Sequence, residues 1–123
     1  MKRLLLPLIL FVLLVPSVLA SSEKAYQDYL YQFDLYRQKY SDFTIAKNEY
    51  EKFGSLASQT TALANTSAML SQRDQLLRAY LLLLNEKLNE DRGLVETQKA
   101  TYWALTGNEI SFLNSHSTLV GSI

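Results

Sequence analysis

His116 is the only histidine in the chain, and Glu109 lies seven residues before it. Seven residues are two helical turns, so the two side chains share a helix face. An imidazole and a carboxylate so placed could relay a proton or begin a metal site. A metal site needs three or four ligands, and the paired Glu-x-x-His motif of di-iron bundles is absent. The residues therefore predict no metal, no cofactor and a solvated or capping role for His116. Glu86 and Glu90, four apart, also have a spacing suited to acid–base work. Paired-carboxylate catalysis requires a pocket that drives two pKa values apart. A run that continues Glu90-Asp91-Arg92 at a helix end reads instead as a solvated face.

The other signatures are missing. No serine lies in Gly-x-Ser-x-Gly, and a lone histidine leaves no second base for a triad. Gly54, Gly93, Gly107 and Gly121 are too dispersed for a phosphate-binding loop. Asn65-Thr66-Ser67 matches a glycosylation sequon but falls within a predicted helix. Asp74 lies on an apolar seam beside Arg73, where a buried polar group sets register. The expectation is a protein that is not an enzyme.

These groups are carried by three helical segments. In the first, Tyr26, Tyr29, Phe33, Tyr36, Tyr40, Phe43, Lys47 and Tyr50 recur at alternating spacings of three and four. That is the a/d rhythm of a heptad, with Lys47 as its one interruption. It predicts an amphipathic helix over about 23–53, with Tyr31 off the seam. Gly54-Ser55 supplies a left-handed C-cap followed by an N-cap. The second segment, about 56–92, places Leu56, Leu63, Leu70, Leu77 and Leu84 seven residues apart. Its companion positions are Thr60, Ser67, Asp74, Leu81 and Leu88. Gly93 is expected at C′, with Leu94 at C″ touching Leu88. The third segment, about 97–120, is apolar over a broad face that includes Tyr102, Leu105, Phe112 and Leu119, with Gly107 inside it.

A hairpin turned at Gly54 would set Tyr40–Phe53 against the small residues of Ser55–Ala68, and Tyr26 and Tyr29 against the Leu77–Leu84 cluster. Large rings against Ala, Ser and Thr make a close-packed interface. The phenol hydroxyls would need partners, for which Ser58, Thr60, Thr61, Asn65 and Ser67 are at hand. The fold class expected is all-α: an elongated, coiled-coil-like antiparallel hairpin plus a C-terminal helix, as a three-helix bundle or part of an oligomeric one. Trp103, Ile110 and Leu113 are left over, and read as an interaction face for a protein partner or a second copy.

The N-terminus carries an address. Lys2 and Arg3 precede an apolar run from Leu4 to Val15, then Pro16 and the small-residue site Val18-Leu19-Ala20. This order of parts is that of a cleavable export signal over residues 1–20, with cleavage after Ala20. A single helical domain, 21–123, would be released to the periplasm, the cell surface or the medium. If residues 4–20 were retained, they would tether a helical stalk to the membrane. The sequence holds 12 basic and 12 acidic side chains. Removing Lys2 and Arg3 leaves a slightly acidic chain with no basic face, which predicts no nucleic-acid partner. There is no cysteine, so packing alone must hold the fold. The tyrosine-rich faces allow one further reading, a glycan- or peptide-binding module.

Overall fold

A computed structural model describes the backbone over residues 19–120 and the side chains over 21–116. The expected export signal lies outside the described residues, apart from the helical backbone of Leu19 and Ala20. Three helices follow one another: α1 (Leu19–Phe53), α2 (Leu56–Glu90) and α3 (Glu96–Val120). No strand occurs among the described residues. At 1.5 Å per residue, α1 and α2 are each about 52 Å long and α3 about 38 Å. No described helix is long and apolar enough to cross a membrane.

The hairpin turns where expected. Gly54 has φ +57°, the left-handed conformation that a side chain disfavours, and its N–H reaches back to the Tyr50 carbonyl at 2.8 Å. Ser55 then caps α2, its Oγ accepting from the Ser58 N–H at 3.1 Å.

The second turn is built differently from the expected Gly93 cap. Gly93 has no positive φ. The helix ends at Glu90, and Asp91 is its C-cap. The Asp91 carboxylate accepts from the N–H groups of Gly93 (2.6 Å) and Leu94 (3.0 Å), so a side chain turns the chain where a glycine was expected to. At the start of α3, the Gln98 side chain reaches back to the Val95 N–H at 3.2 Å, half of a capping box.

Gly107 lies inside α3, and a Cβ built there meets nothing within 4 Å. Gly107→Ala should therefore stabilise the protein by about 0.5–1 kcal/mol through helix propensity alone. Gly54→Ala should destabilise it by about 1–2 kcal/mol, because alanine resists the left-handed conformation. Thermal melts of the two variants should move in opposite directions.

Packing follows a simple plan. α2 packs against both α1 and α3, and among the described residues α1 and α3 do not pack against each other. Gln72 donates to the Gln32 side chain of α1 at 2.6 Å. Asp74 bonds to His116 of α3 at 2.7 Å. Two residues on a helix are about 200° apart, so α2 meets its two neighbours on opposite faces. The described residues form a row of three helices with α2 in the middle. The buried positions include three small residues, Ala46 in α1, Ala79 in α2 and Ser22 at the head of α1, beside Asp74, Lys99 and Leu113. Among the described residues no large side chain is fully buried, as expected of a row whose outer helices each face solvent on one side.

Candidate interaction surface

The α1 seam is rotated from the one the aromatic spacing suggests. Tyr29, Tyr36 and Phe43 are half-buried toward α2, and the Tyr29 ring sits 6.0 Å from that of Tyr80. Tyr26, Phe33, Tyr40 and Tyr50 are exposed, Tyr40 at 52%. Their place in the repeat is taken by Ala25, Gln32 and Ala46, which fall between Ser22, Tyr29, Tyr36 and Phe43 at spacings of three and four, with the exposed Lys39 as the one gap. Small residues win these positions because two helices approach closely only where side chains are short. The displaced Tyr40 ring lies along α1 between Tyr36 and Phe43, in tilted contacts with centroids both 6.1 Å apart. Lys47 is exposed and pairs with Glu51 at 3.4 Å, a surface contact of small worth. The signal that would have located the seam is the heptad phase of Ser22, Ala25 and Ala46.

Four of the five small polar residues expected to serve the phenols bond locally instead. Thr60, Thr61 and Asn65 donate to the carbonyls of Leu56, Ala57 and Thr61 in their own helix. Ser58 bonds to Ser55.

α2 carries two seams. Ala62, Met69, Gln72, Leu76, Ala79 and Leu83 follow a heptad path toward α1. The seven-residue leucine repeat lies on the other side, the side of α3. Near the second turn α3 lies along its edge, and Asp74, buried, belongs to this face. Asp74 thus joins α2 to α3 and takes no part in the hairpin seam. His116 stands opposite Asp74, so α3 ends at about the level of Leu70. Beyond that point nothing in the described structure covers the repeat: Leu56 is 78% exposed and Leu63 48%. Leu70 is half-buried, and Leu77 and Leu84 stay exposed at the edge of the α3 contact.

The chemistry-bearing groups are drawn into interhelix contacts. The Asp74 side chain is 2% exposed. Its Oδ1 accepts from Arg73 Nε (3.2 Å) and Nη2 (3.0 Å), and its Oδ2 faces His116 Nδ1. His116 also stacks on Phe112, with ring centroids 5.9 Å apart. The expected solvated or capping histidine is therefore a tie between helices, to a partner 42 residues away that no local spacing reveals. Thr106 makes a second tie, to Asn85 at 2.6 Å. Glu109 is exposed. No group of three metal-ligating side chains occurs among the described residues.

Glu86 and Glu90 are not the solvated pair expected of them. Glu86 accepts from Ser21 at 2.8 Å. Lys87 bridges Ser22 (3.2 Å) and Glu90 (3.4 Å). The Ser22 hydroxyl, with help from Lys87 and against the opposing effect of partial burial, holds Glu90 below the usual carboxylate pKa of 4.5. The unfolded chain thus takes up this proton at a higher pH than the folded one. The contribution to stability is complete above pH 4.5 and is lost as pH falls through the folded value. The Tm gap between the native chain and Glu90→Gln should narrow between about pH 6 and pH 3.

No protein-family model, curated protein or solved structure matches this chain. The surface itself must carry the functional reading. Of the residues first assigned to an interaction face, Leu113 is 8% exposed, Ile110 is half-buried, and Trp103 is 36% exposed. Leu113 is consumed by packing within the chain and is not offered to a partner. Trp103 stays open, as do Leu56 and Leu63 on α2 and Tyr102, Leu105 and Phe112 on α3.

Proposed function

We propose that this is an exported, non-enzymatic helical protein with a structural or protein-interaction role, and that it associates with a second copy of itself. The observation that carries the reading is the leucine repeat of α2. Leu70 is half-buried beside α3, while Leu56 and Leu63 continue the same face, exposed, beyond the end of α3. A surface continuous with an interface the chain already makes is suited to the same kind of occupant, an apolar helix face. A second copy supplies one through a two-fold axis, with the same patch used on both sides. Support for the non-enzymatic reading comes from the engagement of Asp74, His116, Glu86 and Glu90 in ties between helices. Export rests on the order of parts in residues 1–20.

Light scattering on residues 21–123 across a concentration series tests the association. A dimer or larger species that Leu56→Ser/Leu63→Ser converts to monomer is the expected result. A monomer at every concentration overturns self-association. The mass of the mature protein tests export: an N-terminus at Ser21 is expected, and retention of residues 1–20 would favour the tethered stalk.

A further inference from the structure

A cavity of about 740 Å³ lies where the end of α2, the connecting turn and the start of α3 meet. Its lining includes Asn89, Glu90, Asp91, Arg92, Glu96 and Lys99. The volume is in the range of small-molecule sites. Two of these side chains are in unusual states. The Lys99 side chain is only 10% exposed, and its one described partner, Glu96 Oε1, is 3.7 Å away, beyond hydrogen-bond reach. Glu96 is itself 83% exposed, so it offers a mobile counter-charge and not a built pair. An ammonium so buried is rarely left with so little. In the same lining, Glu90 has one carboxylate oxygen, Oε1, that is buried and accepts no hydrogen bond from any described group. The same cavity is thus bordered by an under-used donor and an under-used acceptor.

A simple anion would satisfy Lys99 but face the carboxylates of Glu90, Asp91 and Glu96. A simple cation would meet Lys99 and Arg92. A ligand bearing both charges answers both groups. We propose that this cavity binds a small zwitterion, a free α-amino acid or a dipeptide, with its carboxylate on Lys99 and its ammonium on Glu90. Arg92 adds a second positive charge near the carboxylate. The terminal torsion of a glutamate is soft, so a small rotation presents Oε1 to the ligand. Glu90 is held ionised at neutral pH by Ser22 and Lys87, which keeps the acceptor in its charged form. The site is independent of the leucine face of α2.

The test is an NMR titration of the purified protein with glycine, glycylglycine, acetate and methylammonium, following the backbone amides of Gly93 and Lys99. Saturable shifts with glycine or glycylglycine are expected at a Kd of about 1 mM or lower. Acetate and methylammonium, each half of the zwitterion, should bind at least about tenfold more weakly, the worth of one lost charge-assisted contact. Lys99→Met should abolish saturation, whereas Lys99→Arg, which keeps the charge and controls for folding, should retain it. Glu90→Gln should weaken glycine binding and leave acetate unchanged. The proposal is overturned if nothing saturates by about 100 mM, if acetate binds as well as glycine, or if Lys99→Met binds like the native chain.

Discussion

Phe43→Ala should lower the unfolding free energy by about 2 kcal/mol, and Tyr40→Ala by less than about 1 kcal/mol. The two residues are three apart, both aromatic, and in ring contact at 6.1 Å. Only their orientation separates them. Phe43 is half-buried on the face that meets α2, one turn from Ala46, which is 3% exposed. Removing its ring leaves a gap that the two helices can close only in part, so a cavity cost adds to the lost transfer energy. Tyr40 is 52% exposed, and truncating it deletes surface that water already reaches. For a chain of this size the first change should lower Tm by roughly 10 °C and the second by a few degrees. The order should hold at the neighbouring positions, Tyr36 exceeding Phe33 and Tyr29 exceeding Tyr26. Equal losses for Phe43→Ala and Tyr40→Ala would mean that the seam follows the aromatic repeat after all.

The second large effect belongs to the tie between α2 and α3. His116→Leu keeps the bulk that stacks on Phe112 but leaves Oδ2 of Asp74 without its partner, on a side chain 2% exposed. A buried acceptor deprived of its donor retains its full desolvation penalty, and a broken buried ion pair typically costs about 3–5 kcal/mol. Here Arg73 still holds Oδ1, and the final turns of α3 can lift away to admit water. The expected loss is about 2 kcal/mol. Adding Asp74→Leu to His116→Leu should restore at least half of it, because the double variant buries no uncompensated charge. Denaturant melts of the two single variants and the double complete the cycle. A double variant that loses the sum of both singles would contradict the account.

Much of this architecture is legible in the sequence, and the places where it is not share one cause. The 3–4 spacing, the absence of proline after the N-terminal segment, and Gly54-Ser55 specify two long helices and the turn between them. Those signals are local. The phase of the α1 seam is not local, because Tyr26 and Tyr29 have equal claims on burial until the small residues of both helices are set face to face. Ala46 and Ala79 decide the matter by permitting close approach, and an alanine in a helix draws no notice by itself. The second turn misled for a related reason. Gly93 has the composition of a left-handed cap, yet the Asp91 carboxylate satisfies the Gly93 and Leu94 N–H groups and leaves the glycine no such task. His116 and Asp74 are far apart in the chain, and neither position shows the other. The cavity under Lys99 is assembled from two helix ends, and no spacing within either one reveals it.

The placement of α2 between its neighbours also governs how the protein comes apart. Among the described residues α1 and α3 make no contact with each other, and each is held through α2. A helix docked on a single partner can leave while the remaining pair persists, so α3 is a candidate for a separate unit of opening. Amides at Leu113 should exchange with solvent through this partial event, while those at Ala79, which also pack on α1, wait for the hairpin itself to open. Perturbations at Phe43 and Leu113 share no contact and should combine by simple addition. In that respect the molecule resembles a short stacked array, in which stability is counted interface by interface.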